Sequence, residues 1–600
     1  MKKLVALILI LGFVTLLTTG NFIATSSASD ITTATFKDGL QAADWAYSGL
    51  AFISDPGTGV PIEYYNIKDK TLYRYNYVDS FDNADYLKVA NFAVGLSPIN
   101  AYMATGNDKY LGVVKKTADL LNSVLPPTGL VPIYFLDQHK IMEDGTIFPG
   151  TNGQASIIEY ISYLARSDSS YIPLLNKLVS GLITYGINPE NDLAWFQVYT
   201  KNGTPVNSPV YGYDSQLGSQ SVSCAEALLT AYETEPSQTI YKTTALDILK
   251  AIWNTRNQKT NLISEVYDIK NNTPGGKLYP YEYFRYDDMG GAYIRGLTMA
   301  YEITKDKAIN SIAGQYIPAL LAGTWDPSIN GGAFRYLSTT GGTAEASYVE
   351  TMQGLFIASL LNANDVFYKG TNRDIINKCS IDAQHTIVDG FSLKNDMEPH
   401  QVNHDGAYVN HSSDSELAYT VIQYPLGYEK LSQVTQNPIY READDKIITT
   451  LLDRFKMGDN IHQAKGFVNI LETTPPYNFE TDYSHPEYMW QAFFIPAYLL
   501  FNSIHPTNNV TIDWYNAYGP NVFGLDSDMP FWNPVNVSIT NNTLNLNKVT
   551  GKGDIDLSDM GSKIISVKID HKNYTDFHNN IIHTESGTHA YSITFENLEN

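Results

Sequence analysis

The sequence predicts a mainly α-helical protein, an (α/α) toroid of six or seven helical hairpins followed by a small C-terminal β-sandwich. Three observations support this fold class. Phrases such as AYMATGNDKY and AYEITKDKA recur between amphipathic segments, as they would between the two helices of a hairpin. The hairpins recur along the chain with a regular period. After residue 506 the helical period gives way to alternating polar and apolar residues, which is typical of strands.

The composition describes a globular protein with an acidic surface. Of its 600 residues, 43% are hydrophobic and 17% are charged, and the formal net charge is −23. A chain of this length exceeds one ordinary core, so we expect two domains, or one ring-like fold with an appendage. Nucleic acids and anionic membranes attract clustered Lys and Arg, so this charge argues against both as partners.

Residues 1–29 have the pattern of a secretory signal. Lys2 and Lys3 precede an apolar run over residues 4–17, and Ser26-Ser27-Ala28 resembles a cleavage site. The run is shorter than the ~20 residues of a membrane-spanning helix. We therefore expect a secreted or cell-surface protein with no membrane span after signal cleavage. The predicted domains are the signal over 1–29, the toroid over 30–505 and the β-sandwich over 506–600.

The helical pattern begins with an amphipathic segment over residues 35–53. The first helices of successive hairpins begin near residues 87, 152, 217, 287, 344, 413 and 486, at intervals of about 57 to 73 residues. Linking turns are short, whereas the return loops run to roughly 20–30 residues. Each of the seven first helices then pairs with a second helix, provided that the opening segment at 35–53 packs beside the last first helix, at 485–500. The ring then closes and leaves no apolar face bare.

In such a ring the long return loops open at one end, beside the N-termini of the inner helices. Loops of this length inside a compact domain usually carry function. The alternative is an open α-solenoid that serves as a binding scaffold, but the length and aromatic content of the loops weigh against it. Cys224 and Cys379 fall on separate predicted helices. The sequence allows one disulfide between them, but we expect two buried thiols.

Asp287 and Asp288 stand at the predicted start of one inner helix, within YEYFRYDDMGG. A helix N-terminus favours carboxylates, and two adjacent carboxylates repel, so one of them keeps its proton to higher pH. One ionised and one protonated carboxyl are what glycosidic cleavage with retention needs, as nucleophile and acid/base. In the alternative interpretation, one Asp is the N-cap and the other is a solvated acid of the first turn.

The helix that opens with Tyr286-Asp287-Asp288-Met289 and closes with AYEIT resembles the paired-aspartate helix of glycoside hydrolase family 76, the endo-α-1,6-mannanases. More broadly, the hairpin array over residues 35–502 resembles the six-hairpin glycosidase superfamily. The family resemblance implies that Asp287 is the nucleophile and Asp288 the acid/base. It also implies the function, a glycoside hydrolase that cleaves a polysaccharide or glycan with a carboxylate pair.

Other residues at or near the starts of inner helices are expected to face the same cavity. We expect Tyr286, Asp214 and Glu350 to bind substrate there, with Glu350 one turn or more inside its helix. An inverting hydrolase would instead use two such carboxylates across a wider gap that holds a water. Each acid taken alone also fits a helix cap or a solvated side chain.

Three tryptophans and one arginine complete the predicted site. Trp195, Trp325 and Trp490 are candidates for stacking on sugar faces, although a ring fold also needs large aromatics to fill its centre. Arg335 follows a glycine-rich turn, where its guanidinium would pair with a uronate carboxylate. An Arg clamp with a Tyr base also fits the second interpretation, a uronate-directed polysaccharide lyase or C5-epimerase on the same fold. The third is a non-catalytic extracellular scaffold that binds glycans.

No metal and no other cofactor is expected. His400 and His404 have an i, i+4 spacing but lack the helix and the third ligand of a zinc site. Asp, Asn and Gly are frequent in the loops, so the sequence is also compatible with a structural calcium ion, although no EF-hand pattern occurs. The expected partner is a carbohydrate substrate, and the protein is expected to be a monomer.

Overall fold

The computed structural model describes most of residues 34–598. The gaps are residues 54–64, 67–70, 73–85, 88, 133, 136–139, 142–144, 151–152, 210–211, 278–289, 328–331, 335–347, 351–352, 389–400, 404–414, 418–422, 451, 453–469, 473–494, 508 and 513–536. The contacts join Ala34–Asn600 into one compact unit. The predicted boundary between toroid and sandwich, near residue 506, stays a prediction. In the described part of the chain, no helix combines the length and the apolar character that crossing a membrane requires.

Helical hairpins follow the opening helix Phe36–Ile53, as the sequence predicts. Their first helices are Val89–Leu96 continued by Pro98–Thr105, Gln154–Ser167, Ser223–Thr234, Gly291–Thr304, Gln353–Tyr368 and Gln423–Thr435. Their second helices are Leu111–Val124, Ile172–Gly181, Thr239–Asn254, Lys307–Thr324, Arg373–Val388 and Pro438–Thr450. A π-helical turn, Leu217–Val222, leads into Ser223–Thr234. A last described helix, Ile495–Asn502, follows these hairpins.

A three-residue turn links the two helices in three hairpins, and it accounts for the recurring phrase in the sequence. The turns are Thr105-Gly106-Asn107, Thr304-Lys305-Asp306 and Thr435-Gln436-Asn437. The middle residue has a left-handed backbone, with φ of 69°, 53° and 55°. The Asp or Asn that follows caps the second helix: Asp306 accepts hydrogen bonds from the N–H groups of Ala308 and Ile309. The phrase thus ends one helix and begins the next.

The first helices of the hairpins form the inner wall of a ring. Residues 154–165, 223–231 and 291–300 are buried throughout, so these helices have no solvent face. Each inner helix packs against the next, from Val89–Leu96 to Gln423–Thr435. Ile495–Asn502 packs against Phe36–Ile53 and Pro98–Thr105, so the two ends of the helical region meet and supply a further pair. The predicted closed toroid is confirmed.

Short strands precede several inner helices, and the sequence did not predict them. Each pairs antiparallel with a strand of the next return loop: Tyr86–Leu87 with Tyr134–Phe135, Thr146–Ile147 with Val198–Tyr199, Asp214–Gln216 with Val266–Asp268, Tyr348–Glu350 with Gln401–Asn403, and Ser415–Leu417 with Ile470–Glu472. Helices predicted to begin near residues 344 and 413 instead begin at Gln353 and Gln423. This strand pairing ties neighbouring loops together at one end of the ring, which we call the mouth.

The C-terminal region consists of two antiparallel sheets. One contains, in spatial order, His505–Pro506, Asp554–Asp556, Ile581–His583 and Phe577–His578. The other contains Thr511–Ile512, Thr543–Thr550, Thr588–Phe595, Ile564–Ile569 and Lys572–Tyr574, with Val537–Thr540 also paired to Thr543–Thr550. Alternate residues of these strands are buried, as the predicted β-sandwich requires.

The C-terminal sheets lie against the turn end of the ring, opposite the mouth. Gly106, in the first hairpin turn, approaches the Ile539 carbonyl so closely that a Cβ would lie 2.6 Å from that oxygen. The Asp559 carboxylate forms an ion pair with Arg441 and a 2.9 Å hydrogen bond with His505. Within the helices, Cys224 and Cys379 are buried and not joined to each other, which confirms the expected free thiols.

Candidate active site at the mouth of the toroid

In the sequence, a carboxylate stands shortly before each of three consecutive inner helices. Asp214 stands three residues before Leu217, where the helical segment of the third inner helix begins. Glu350 stands three residues before Gln353, the first residue of the fifth. In the sequence, Asp288 stands three residues before Gly291, the first residue of the fourth. The structure thus describes Asp214 and Glu350 close before two of these helices, whereas the placement of Asp288 is known from the sequence alone.

Asp214 is held in the paired strand Asp214–Gln216, opposite Asp268. Only 2% of the residue is exposed to solvent. Gly276, in the same return loop as Asp268, lies so close that a Cβ there would be 2.2 Å from the Asp214 Cγ. The position needs glycine because the backbone passes directly beside the carboxyl group. The fold thus fixes this carboxylate inside the wall of the mouth.

Glu265 is a second buried carboxylate in this sector, and the sequence analysis missed it. It is fully buried, and its backbone carbonyl accepts a 2.8 Å hydrogen bond from the Leu217 N–H. Glu265 therefore lies beside the start of the same inner helix as Asp214. A signal was available: the acid interrupts the apolar run Leu262-Ile263-Ser264-Glu265-Val266, where an ordinary solvated acid is out of place.

Trp195 lies in the same sector as Asp214. Its ring meets that of Tyr213, the residue before Asp214, edge to face with centroids 6.0 Å apart. The other contact of Tyr213 is with Lys270, whose Nζ lies 4.1 Å from the ring centroid. The Ala194 N–H donates to Ser221 Oγ at 3.0 Å, which anchors the Trp195 segment to the inner helix. Trp195 is partly buried, so part of its ring surface remains accessible.

Trp325 has a different environment. It belongs to the strand Trp325–Asp326, and its ring packs edge-on against Phe334 with centroids 5.1 Å apart. Gly332 has a φ of 121°, and a Cβ there would lie 2.1 Å from the Trp325 ring. The Phe334 N–H donates to Asp382 on the outer helix Arg373–Val388. The Lys378 Nζ also lies 5.7 Å from the centroid of the Trp325 ring. The role of Trp325 in binding sugar stays a prediction.

Five of the predicted site residues lie outside the part of the chain that the structure describes: Tyr286, Asp287, Asp288, Arg335 and Trp490. Their roles stay predictions.

Glu350 ends the strand Tyr348–Glu350, so the prediction that it lies inside a helix is wrong. The cause is the pairing of this strand with Gln401–Asn403, which delays the helix. Around the fourth inner helix, the N-cap position belongs to Gly290, which offers no side chain to cap it. Asp287 and Asp288 lie outside the described residues, so the alternative that one of them caps the helix stays a prediction.

Below the mouth, the wall carries a buried ion pair. Arg295 on the fourth inner helix donates from Nε and Nη2 to the two carboxylate oxygens of Glu226 on the third, at 2.9 and 3.0 Å. Their side chains are 3% and 4% exposed. Bidentate pairing of this kind fixes the two helices relative to each other. The pair therefore supports the wall next to the sector that bears Asp214.

Solved structures share this fold, whereas no protein-family model and no curated protein matches the chain. The α-1,2-mannosidase from Trichoderma reesei matches with a TM-score of 0.50 and 11% identity, over 78% of this chain and 94% of that one. A cellobiose 2-epimerase from Bacillus thermoamylovorans matches with a TM-score of 0.45 and 11% identity, over 62% and 91%. A D-mannose isomerase matches with a TM-score of 0.43 and 15% identity, over 68% and 100%.

All three neighbours bear the names of carbohydrate-active enzymes. At 11% identity, the likeness to the α-1,2-mannosidase supports the fold, a toroid of helical hairpins, and does not establish the activity.

Proposed function

We propose that the protein is a carbohydrate-active enzyme, specifically a glycoside hydrolase, with its site at the mouth around the third, fourth and fifth inner helices. The observation that carries the proposal is that an acid stands shortly before each of these helices in the sequence: Asp214 before the π-helical turn at Leu217, Asp288 before Gly291 and Glu350 before Gln353. A packing role does not call for a carboxylate at this step of the repeat. Glycosidic cleavage does, because it uses carboxyl groups on opposite sides of the reacting sugar.

Two mechanisms are open to this set of acids. Helices that pack side by side have axes about 8–10 Å apart. Acids before adjacent inner helices suit the wider separation of about 6.5–9.5 Å that inverting glycosidases use. The adjacent Asp287 and Asp288 instead suit the shorter separation of a retaining pair. We favour the second, with Asp287 as nucleophile and Asp288 as acid/base, on the family resemblance of that helix.

Trp195 and Tyr213 fit the proposal as a sugar platform. Aromatic rings with one partly exposed face bind the apolar faces of sugars. Tyr213 directly precedes Asp214 in the chain and its ring contacts Trp195, so a sugar held on these rings would lie in the same sector of the mouth as Asp214. Export from the cytoplasm belongs to the same proposal and rests on the leader-like pattern of residues 1–29.

A product screen tests the proposal. The purified protein is incubated with α-mannans, other neutral polysaccharides and uronate-containing polymers, and the products are analysed by mass spectrometry and by a reducing-end assay. We expect new reducing ends from at least one glycan. An unsaturated uronate would identify a lyase. A changed sugar configuration without new reducing ends would identify an epimerase. Either of these, or binding without turnover, would overturn the hydrolase proposal.

A further inference from the structure

A β-hairpin at the edge of the smaller C-terminal sheet places two histidines and an aspartate on one face. Its strands are Phe577–His578 and Ile581–His583, joined by Asn579-Asn580, both with left-handed φ of 48° and 63°. The His583 N–H donates to the Asp576 carbonyl, which continues the ladder by one residue. Since paired residues share a face and alternate residues return to it, Asp576, His578 and His583 lie on the same side of the hairpin.

That face points away from the core of the sheets. The residues of the opposite face, Ile555 and Ile582, are fully buried. His583, by contrast, keeps 35% of its side chain exposed and Asp576 keeps 69%. The three polar side chains are therefore accessible to ions in solution.

The two histidine rings present their nitrogens to each other at a distance that a metal ion would bridge. His578 Nδ1 lies 3.3 Å from His583 Nε2. Two nitrogen ligands, each about 2.0–2.1 Å from a tetrahedral ion, are themselves about 3.3–3.4 Å apart. The separation of the two nitrogens therefore already matches that of two ligands of one ion. The Asp576 Oδ1 lies 4.0 Å from His583 Nε2, and this exposed side chain can rotate to become a third ligand.

A neighbouring strand orients the central histidine. Asp554, the register partner of His583, accepts a hydrogen bond from His583 Nδ1 at 2.6 Å. A carboxylate at Nδ1 keeps the proton there and leaves the lone pair of Nε2 directed toward His578. The same carboxylate–histidine arrangement fixes and strengthens histidine ligands in metal sites.

We propose that His578, His583 and Asp576 bind one divalent transition-metal ion of the class that imidazole prefers, such as Zn²⁺. Water completes the coordination, and Asp554 holds His583 in place. Ca²⁺ and Mg²⁺ do not fit, because they require oxygen ligands. Among the described residues no three His, Cys, Asp or Glu side chains already converge as a finished site. The proposal therefore requires Asp576 to turn inward on binding, with two ligands positioned in advance.

The absence of a zinc-ligand spacing in the sequence does not argue against this site. The ligands come from the two strands of a hairpin, and Asp554 comes from a third strand that precedes them by more than twenty residues. Their approach depends on strand register, which a search for spaced Cys and His does not detect. The alternative is that the two rings share a hydrogen-bonding proton and bind nothing.

Titration of the tag-free full-length protein with ZnCl₂ by isothermal calorimetry, after treatment with a chelator, distinguishes these alternatives. We expect one equivalent of Zn²⁺ to bind, and His583→Ala or His578→Ala to abolish that event. Asp554→Asn should weaken binding by about 10–100-fold, as the loss of an orienting carboxylate does. Co²⁺ absorbance gives an independent readout of nitrogen and oxygen ligation.

His589→Ala is the matched control. His589 lies in the larger sheet, and its two ring nitrogens already contact Asp570 Oδ2 at 2.8 Å and the Ser586 carbonyl at 3.1 Å. This variant should bind Zn²⁺ like the wild type. Circular dichroism of every variant confirms that the sheets remain folded. A wild type that binds no stoichiometric Zn²⁺, or a folded His583→Ala that binds it equally well, would overturn the proposal.

Discussion

Arg295 and Glu226 join two neighbouring inner helices through two parallel hydrogen bonds, in a position almost closed to solvent. Each residue interrupts an otherwise apolar or small-residue helix face, within GAYIRGLT and SCAEALLT. A charge buried in this way is tolerated only while its partner is present. The pair therefore makes the third and fourth inner helices dependent on each other.

Replacing one member of this pair should strongly destabilise the fold. Arg295→Met leaves the Glu226 carboxylate buried without its guanidinium, and we expect the free energy of unfolding to fall by about 3–5 kcal/mol. The double variant Glu226→Leu with Arg295→Met should recover much of that loss, since no charge is left buried. Guanidinium unfolding followed by circular dichroism measures both.

An exposed pair across another inner-helix junction is the control. Lys430 and Asp365 connect the fifth and sixth inner helices at 2.7 Å, with the Asp365 side chain 45% exposed. Lys430→Met should cost less than about 1 kcal/mol, as surface pairs do. If Arg295→Met and Lys430→Met lower the free energy of unfolding equally, burial does not determine how much the Glu226–Arg295 pair contributes to stability.

The hairpin turn at Thr304-Lys305-Asp306 should depend on its cap. Asp306→Ala removes the acceptor for the Ala308 and Ile309 N–H groups, and we expect a loss of about 1 kcal/mol in the free energy of unfolding. Asn310→Ala, one turn further along the same helix and exposed, should cause no loss. The expectation fails if the two variants unfold at the same denaturant concentration.

The hairpins could be predicted because their signals are local. In each of three turns, a Thr, a left-handed residue and an Asn or Asp follow one another directly, so the phrase is visible in the sequence. Closure of the ring could be predicted because the apolar face of the last helix needs a partner, and the opening helix is available to cover it. That expectation was met by the contact between Phe36–Ile53 and Ile495–Asn502.

The short strands at the mouth could not be predicted in this way. Two or three residues, such as Tyr348–Glu350, are too few to show a strand period. Their partner Gln401–Asn403 lies a whole hairpin away in the sequence. The sequence pattern therefore places Glu350 in a helix. Glu226, Arg295 and Glu265 each interrupt an apolar stretch, but the sequence pattern at helix starts gives no signal for charges buried in the wall.

The contact between ring and C-terminal sheets should give the protein a pH-dependent stability. Burial raises the pKa of Asp445 from 3.8 to about 6; the nearby Arg441 charge opposes this, and the Asp559 and Glu429 carboxylates add to it. The folded protein thus binds the Asp445 proton more tightly than the unfolded chain does. Its contribution to the free energy of unfolding falls as the pH rises from about 4 to about 6.

Asp445→Asn removes this dependence. Relative to the wild type, we expect the variant to be equally stable near pH 4 and more stable by about 1–2 kcal/mol at pH 7, allowing for its partial exposure. Asp559 acts in the opposite direction: burial opposes ionisation there, but the His505 hydrogen bond and the Arg441 charge outweigh it, so its pKa is lowered. Glu442→Gln, at an exposed neighbouring position, is the control. Parallel pH profiles for Asp445→Asn and the wild type would contradict the assignment.

Gly276 should matter to activity more than to folding. A methyl group at this position would push the Asp214 carboxyl group out of place. We expect Gly276→Ala to lower kcat by tenfold or more on the substrate found in the screen, because small displacements of site groups are costly. Gly314→Ala, where a Cβ would meet nothing within 4 Å, should leave kcat unchanged. If Gly276→Ala keeps full kcat, the Asp214 carboxylate is not part of the site.

The central claim, that carboxylates before the inner helices perform the chemistry, is tested most directly at Asp288. Asp288→Asn is compared with Asp306→Asn, which makes the same change at the turn end beyond the same helix, where Asn also caps. We measure the release of reducing ends and the unfolding midpoint of both. Asp288→Asn should lose activity by about 10³-fold or more with an unchanged midpoint, while Asp306→Asn keeps its activity. Full turnover by a folded Asp288→Asn would remove this residue from the mechanism and contradict the claim.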